Sequence, residues 1–234
     1  MKWNKQFDYP KSVRSLVKGH RHYEIDASSL PSVTTIISQT QDPEKIESLA
    51  KWKAKVGEKE AENIKNVAAL RGTAMHEYLE HYIAGKELLD LTETGVKAKS
   101  MAKTIIEQGL PDLEEIWGSE VTVYYPGLYA GATDLCGIYM GRDSIIDFKQ
   151  SNKPKRAEWI TDYKLQMVAY AMAHNHVYGS NINSGVILIS VKNGTILKYV
   201  SSGKEFQGFM FEWLRRVDLY YKNQASGTKG PLVV

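Results

Sequence analysis

Apolar and polar residues alternate along the middle of the chain, as they do in β-strands whose two faces meet different surroundings. Three such stretches, residues 120–125, 131–139 and 143–149, follow one another with short connections. We expect them to form three neighbouring antiparallel strands, the last two joined by a turn at Gly141-Arg142. This meander would bring residues that are distant in sequence onto one face of a sheet.

Helical periodicity and turn residues divide much of the remaining chain. Predicted helices cover residues 43–85, with breaks at Gly57 and Gly72, and residues 91–108, 159–178 and 203–223. A hairpin of strands 185–192 and 195–200 is predicted around Asn193-Gly194, because this dipeptide favours a tight turn. The order of helices, meander, helix, hairpin and helix predicts an α/β protein with a mixed central sheet.

The two ends of the chain carry weaker patterns. Residues 22–25 are strand-like, and Ser32 is a predicted N-cap of a short apolar helix. Residues 224–234 are expected to be loose. We expect one domain over residues 1–234, because the composition shows no break that would argue for two.

Composition is ordinary for a soluble protein. Of the 234 residues, 43% are hydrophobic and 24% are charged, and no apolar run approaches the roughly 20 residues that a bilayer requires. The start of the sequence has neither an apolar signal core nor a small-residue cleavage site. We therefore expect a cytoplasmic protein that is not secreted and has no membrane partner.

Cysteine content and charge restrict the possible chemistry. The lone Cys136 excludes an internal disulfide and a four-cysteine iron-sulfur cluster, so any metal would be bound by oxygen and nitrogen ligands. The net charge of +3 is small, and the binding of a polyanion would therefore depend on local clusters of basic residues.

The triplet Asp147-Phe148-Lys149 carries the strongest chemical signal. Its acid and its lysine are two positions apart, so they share one face of the strand. Asp134 on the neighbouring strand would lie about 5 Å from Asp147, where two carboxylates repel by roughly 3 kcal/mol at an effective dielectric near 20. A bound divalent cation would relieve this repulsion. A solvated Asp-Lys pair on an edge strand is the alternative, and it is the commoner origin of any single such triplet.

Further candidate ligands come from other predicted elements. His76 is predicted in the first turn of a helix that follows Gly72. Together with Asp134, Asp147 and the carbonyl of Phe148 it would offer one nitrogen and three oxygens, a set that suits Mg²⁺ or Mn²⁺ better than a structural zinc. Glu120, at the start of the meander, could add a third carboxylate.

Gln166 and Tyr170 share one face of the predicted helix 159–178. Gln166 could hold the lysine or a phosphate, and Tyr170 could add a hydrogen bond or a stacking surface. An ordinary polar helix rim is the alternative for both residues. Trp159, at the start of the same helix, is expected in the core.

A basic loop follows the triplet directly. Lys153, Lys155 and Arg156 form a charge run that is usually only solvated, but beside an acidic cluster it is better explained as a cradle for phosphates.

Taken together, these residues resemble the RecB-type branch of the PD-(D/E)XK nucleases. The pattern consists, in chain order, of Gly72-x-x-x-His76, Glu120, Gly131-x-x-Asp134, Asp147-Phe148-Lys149 and Gln166-x-x-x-Tyr170. Residues 30–35, Lys51-Trp52-Lys53 and Lys153-Pro154-Lys155 are further similar to the mitochondrial genome maintenance exonucleases and their phage and bacterial relatives.

This resemblance implies a restriction-endonuclease-like fold, with a mainly helical part over residues 1–110 and a catalytic core over residues 118–222. It implies a metal-dependent exonuclease that prefers single-stranded DNA with a free end. The helices of residues 43–85 would roof the site. In the absence of a transit-like extension, a bacterial or phage source is expected.

The resemblance also implies roles for residues. His76, Asp134, Asp147 and the Phe148 carbonyl would hold the metal, and Lys149 would be the catalytic lysine. Expected nucleic-acid contacts are Thr73, Gln150, Ser151, Lys153, Lys155 and Arg156. The chain departs from the family at Gln150, where threonine is common.

Two alternatives remain open. A structure-selective or restriction-type endonuclease could use the same metal cluster, and a non-catalytic DNA-binding module could keep the fold. The sequence does not indicate digestion polarity or oligomeric state.

Overall fold

A six-stranded mixed sheet forms the centre of the structure, a computed structural model that describes residues 2–227. The strands are β1 (Lys2–Trp3), β2 (Val13–Val17), β3 (His20–Ile25), β4 (Ser28–Pro31), β5 (Leu113–Tyr125), β6 (Tyr129–Tyr139), β7 (Arg142–Ser151), β8 (Ser184–Val191) and β9 (Ile196–Ser202). The helices are α1 (Val33–Gln39), α2 (Pro43–Val56), α3 (Glu58–Ile83), α4 (Glu93–Gln108), α5 (Thr161–Tyr178) and α6 (Gly203–Ala225).

The large sheet has the strand order β1-β5-β6-β7-β8-β9. Strands β5, β6 and β7 form the predicted antiparallel meander, β8 lies parallel to β7, and β9 returns antiparallel to β8. A parallel pair needs a crossover connection, and α5 supplies it between β7 and β8. The predicted α/β class with a mixed central sheet is confirmed.

Helices cover both faces of the sheet, so successive residues of the central strands enter two different cores. On β7, Ile145 packs with residues of α5 and α6, whereas Ile146 and Phe148 pack with residues of α3 and α4. Every residue of β8 is buried. This double burial explains why β8 appears in the sequence as a continuous apolar run rather than an alternating one.

The turn between β6 and β7 lies one residue earlier than predicted. Tyr139 pairs with Arg142, so Met140 and Gly141 form the two-residue turn. Both have positive φ angles, +49° and +70°, as the tight turns that match the twist of a hairpin require. The prediction of a turn at Gly141-Arg142 is therefore wrong by one position.

Helix α3 runs without interruption through Gly72, which was predicted to break it. Gly57, with φ +88°, does separate α2 from α3. An interior glycine costs a helix about 1 kcal/mol, and the burial of Met75 and Leu79 against the sheet outweighs that cost. His76 therefore lies deep in a long helix rather than in a first turn.

The first part of the chain is less helical than predicted. Strands β2, β3 and β4 form a separate three-stranded antiparallel sheet. Only residues 22–25 of this sheet were predicted as a strand. After it, Ser32 caps α1 as predicted, its hydroxyl accepting a hydrogen bond from the backbone N–H of Thr35, and bridges to Ala130 of β6. The small sheet is thus fixed to the large one.

Within residues 2–227 there is no helix long and apolar enough to cross a bilayer. Helix α6 extends to Ala225, and the rest of the tail that was predicted to be loose, from residue 228 on, lies outside the described residues.

Candidate active site

Three acidic residues lie in a row across three adjacent strands. The β5–β6 register sets Glu120 across from Asp134. Continued one step beyond the pair of Leu135 and Ile146, the β6–β7 register sets Asp134 across from Asp147. Side chains that oppose each other in a sheet share a face, so the sheet itself gathers the three carboxylates. The predicted proximity of Asp134 and Asp147 is therefore seen in the structure.

Asp147 and Lys149 form an ion pair on β7, as their spacing of two predicts. The Asp147 carboxyl is 1% exposed. Burial raises its pKa to about 6, while Lys149 lowers the pKa and Asp134 raises it. Burial also lowers the pKa of Lys149, but the two carboxylates raise it by more, so the pKa of the lysine lies above its ordinary value.

The Asp147 carboxylate is short of partners. Lys149 contacts its Oδ2, and among the described residues no group donates a hydrogen bond to its Oδ1. A buried carboxylate normally has such donors. The backbone N–H of Phe148 is used elsewhere, because it donates to Asp134 Oδ2 at 2.7 Å. The strand thus fixes Asp134 and leaves Oδ1 of Asp147 without a donor among the described residues.

His76 of α3 faces this row of acids. Its Nδ1 lies 3.5 Å from Asp134 Oδ1 and 3.9 Å from Glu120 Oε1. Burial lowers the pKa of His76, but Asp134 and Glu120 raise it by more. Glu120 has φ +52°, a conformation that non-glycine residues seldom adopt. Backbone strain of this kind is concentrated at functional sites.

The side chains of His76, Glu120 and Asp134 offer ligand atoms that all lie within 4.8 Å of one another. Imidazole nitrogen and carboxylate oxygens are donors that Mg²⁺ and Mn²⁺ accept. This donor set fits a divalent cation, but the predicted ligand Asp147 is not a member of it. Glu120, which the sequence offered only as an additional carboxylate, is a member of this cluster. The side chain of Phe148, whose carbonyl was a predicted ligand, packs into the core.

His76, Glu120 and Asp134 border a cleft of about 800 Å³, whereas the lining drawn from the described residues does not include the buried Asp147. Predicted site residues that line it are Thr73, His76, Glu120, Asp134, Lys149, Gln150, Gln166 and Tyr170. The cleft also has lining residues that sequence reasoning missed, among them Arg14, Arg21 and Tyr23 of the small sheet and Tyr163 of α5.

Gln166 and Tyr170 contact each other, with Gln166 Nε2 donating to Tyr170 Oη at 2.9 Å. Tyr170 is only 3% exposed. Its ring lies against Gly131, where a Cβ atom would approach Tyr170 Cε1 to 2.5 Å. Gly131 thus makes room for the ring of Tyr170, and both residues line the cleft.

Gln150, a predicted nucleic-acid contact, uses both ends of its amide to hold α3. Its Oε1 accepts from Arg71 Nε at 2.9 Å, and its Nε2 donates to the Ala68 carbonyl at 3.0 Å. Arg71, 8% exposed, also donates to Asn152 Oδ1 at 2.7 Å. The residue that replaces the family's threonine therefore fixes the helix carrying His76 against the strand carrying Lys149.

The predicted basic loop lies beside the cleft. Among the described residues, the cleft lining does not include Ser151, Lys153, Lys155 or Arg156. Lys153 borders a separate cavity of about 660 Å³ with Arg71 and Asn152. Lys155 Nζ lies 5.8 Å from the centre of the ring of Tyr163, and Lys149 lies 5.1 Å from the same ring. The loop thus comes near the site at one point.

Trp159 is 60% exposed, and the expectation that it belongs to the core is wrong. It lies in a short 3-10 turn, Ala157–Ile160, that precedes α5. Ile160 is the buried member of this turn, and Arg156 covers the ring of Trp159, with Cζ 5.5 Å from its centre.

Comparison with known proteins places this site in context. The chain is 30% identical over 211 residues to mouse mitochondrial genome maintenance exonuclease 1, covering 86% of this chain and 61% of the relative. The human protein of the same name is 28% identical over 200 residues, covering 82% of this chain and 58% of the relative. The chain thus spans about three fifths of the length of these relatives. The predicted resemblance to this group of exonucleases is confirmed.

A solved structure gives a consistent picture of the fold. A candidate exonuclease from Eubacterium rectale superposes with a TM-score of 0.51 at 12% identity, covering 72% of each chain. At this identity the match concerns the fold alone. No protein-family model matches the chain.

Proposed function

We propose that this chain is a metal-dependent DNA exonuclease that hydrolyses phosphodiester bonds and prefers single-stranded DNA with a free end. The observation that carries this proposal is the row of Glu120, Asp134 and Asp147 beneath His76. Glu120, Asp134, His76 and Lys149 line an open cleft, and Asp147 is buried in contact with Lys149. The similarity to relatives named exonucleases supports it.

His76, Glu120, Asp134 and Asp147 would hold one or two divalent ions, Mg²⁺ or Mn²⁺. When bound, such an ion supplies Lewis-acid polarisation of the scissile phosphate and activates a water for in-line attack. A bound cation would offset the repulsion from Asp134, which raises the pKa of Asp147. A cation would also stabilise Asp147, since its carboxylate is buried and its Oδ1 has no hydrogen-bond donor among the described residues.

Lys149 would orient the attacking water and offset the charge that develops on the phosphate oxygens. The two carboxylates keep its ammonium protonated, as described above. Tyr163 stands 5.1 Å from this ammonium and limits its positions. Gln166, held by Tyr170, would offer its carbonyl oxygen to Lys149 or its amide to a phosphate.

The strand preference is attributed to α2 and the first half of α3. Helix α2 has no buried residue, so it is not packed into the body of the protein. Lys45 of α2 forms an ion pair with Asp162 of α5. Among the described residues, the cleft lining includes residues of α3 from Ala69 onward but none of α2. We therefore propose that α3 roofs the cleft and that α2 obstructs a duplex from outside it.

An endonuclease with the same cluster and a non-catalytic DNA-binding module are the competing functions. The buried pair of Asp147 and Lys149 argues against the module, because the burial of charged groups is costly and the binding of DNA alone does not require it. An endonuclease would have the same site but would need no free end. The two functions are therefore distinguished by the substrates that the protein cleaves and not by its structure.

The test is incubation of the protein with end-labelled single-stranded DNA, with and without Mg²⁺. We expect stepwise shortening of the strand only with the ion. Asp147→Ala and Lys149→Ala are expected to abolish it, and Asp218→Asn, a surface change on α6, to leave it intact. Wild-type activity in either site variant would place the chemistry elsewhere.

A further inference from the structure

The small sheet supplies one wall of the cleft. Arg14 of β2 and Arg21 and Tyr23 of β3 line it, together with residues of α3 such as Thr73 and Glu77. None of the small sheet's cleft residues belongs to the nuclease pattern found in the sequence. The nuclease pattern therefore does not explain why these residues line the cleft.

The register of β2 and β3 puts these three side chains of the small sheet on one face, together with Leu16, which does not line the cleft. Arg14 pairs with Tyr23, and Leu16 pairs with Arg21. Tyr23 is 4% exposed and packs with Leu30 and with Ala130 of β6, so this end of the face is anchored on the large sheet. Towards the β2–β3 turn the same face is open, and Leu16 is 75% exposed.

The backbone holds Arg21 in place. Its carbonyl accepts a hydrogen bond from the N–H of Ser32 at 2.9 Å and another from Thr35 Oγ1 at 2.9 Å. These two residues begin α1. The base of the arginine is therefore fixed, whereas its guanidinium is exposed in the cleft.

Neither arginine has an acidic partner among residues 2–227. The Arg14 guanidinium lies over the Tyr23 ring, with its Cζ 5.9 Å from the ring centre. Glu24, the acid of β3, accepts instead from Ser15 at 2.6 Å and Ser29 at 2.8 Å. Two uncompensated guanidinium groups beside an acidic row fit a ligand that is itself anionic and spans both.

We propose that Arg14 and Arg21 bind phosphates of the DNA strand next to the scissile bond, and that Leu16 contacts a base or sugar. This inference rests on the proposed function, because the anion that reaches both the acidic row and the arginines would be a polynucleotide. Arginine suits the role because its planar donors match phosphate oxygens. The small sheet then positions the strand and takes no part in the chemistry.

The proposal has a measurable salt signature. Each phosphate contact on a single strand contributes about 0.7 to the slope of log affinity against log salt concentration. Loss of two contacts should therefore reduce the slope by about 1.4, which corresponds to roughly 25-fold weaker binding at about 0.1 M salt. Since neither arginine touches the reacting atoms, KM should rise and kcat should stay near its wild-type value.

The experiment measures binding of a fluorescein-labelled single-stranded oligothymidine by anisotropy in EDTA, over a series of salt concentrations. The variant is Arg14→Ala/Arg21→Ala, and Arg14→Lys/Arg21→Lys should restore most of the salt slope. The matched control is Lys103→Ala/Lys204→Ala, which removes two exposed charges from α4 and α6 outside the cleft. Circular dichroism of each variant verifies that the small sheet is folded.

Weaker binding with a reduced slope in the double arginine variant, and not in the lysine control, would support the proposal. An unchanged slope, or an equal reduction in the control, would overturn it. Leu16→Ser should weaken binding without changing the slope, and unchanged affinity would remove Leu16 from the proposal. Because binding is measured without cleavage, these outcomes are independent of whether the wild-type protein degrades DNA with Mg²⁺.

Discussion

Replacement of Gly131 by alanine tests the packing that forms the cleft. The new Cβ would lie 2.5 Å from Cε1 and 3.0 Å from Oη of Tyr170. Carbon atoms in contact prefer about 3.5–4.0 Å, so the ring must move by roughly 1 Å. Tyr170 is buried and its hydroxyl holds Gln166, so neither side chain can yield at a low cost.

We expect Gly131→Ala to lower the free energy of unfolding by about 1–3 kcal/mol, the usual cost of overpacking a core. For a chain of this size, that corresponds to a fall in Tm of roughly 2–12 °C. Displacement of Gln166 by about 1 Å should also reduce nuclease activity by up to 100-fold, because catalytic groups tolerate little misplacement.

Urea unfolding followed by tryptophan fluorescence measures the stability. The matched control is Gly72→Ala, because its Cβ would meet only Gln150 Nε2, at an ordinary 3.7 Å. Gly72 lies inside α3, where alanine should stabilise the protein by up to about 1 kcal/mol. Equal stabilities of Gly131→Ala and the wild-type protein, or destabilisation by Gly72→Ala, would refute this description of the two sites.

Three further predictions concern other parts of the molecule. Gln150→Thr removes one of the two hydrogen-bond partners of the buried Arg71, leaving Asn152, and should cost about 1–3 kcal/mol in urea unfolding; an unchanged stability would mean that α3 is held by other contacts. Burial lowers the pKa of His174 from 6.5 to about 4, so the unfolded chain is protonated first as the pH falls. The stability that this neutral histidine contributes is complete above pH 6.5 and should be lost towards pH 4 by about 1.4 kcal/mol per unit. His174→Gln should flatten that part of the stability profile, and identical profiles would contradict the assignment. Closed circular single-stranded DNA should resist digestion on a gel while the linear form is degraded, whereas rapid cutting of circles would favour the endonuclease.

Alternation along the strands was enough to predict much of the sheet and the centre of the site. Asp147 and Lys149 share a face because they are two positions apart, and Asp134 meets them because a two-residue turn leaves little freedom of register. The register of the preceding hairpin, β5–β6, sets Glu120 across from Asp134. These relations are local or cross a single hairpin, and for that reason they can be predicted from the sequence.

Contacts between distant segments could not be predicted in this way. Arg71 and Gln150 are 79 positions apart, and nothing in either segment indicates that they meet. Gly72 resembles a helix break until the packing of α3 on the sheet is known. The arginines of the small sheet were missed because β2 is too short and too exposed to give a strong strand signal.

Binding of Mn²⁺ measured by calorimetry tests the central claim most directly, with Asp134→Asn as the site variant and Asp218→Asn as the surface control. We predict saturable binding to the wild-type protein and to Asp218→Asn, and at least tenfold weaker binding to Asp134→Asn, because that side chain lies 3.5 Å from His76 and directly across from Asp147. No binding heat with the wild-type protein, or equal affinity in Asp134→Asn, would contradict a cation held by this row of acids.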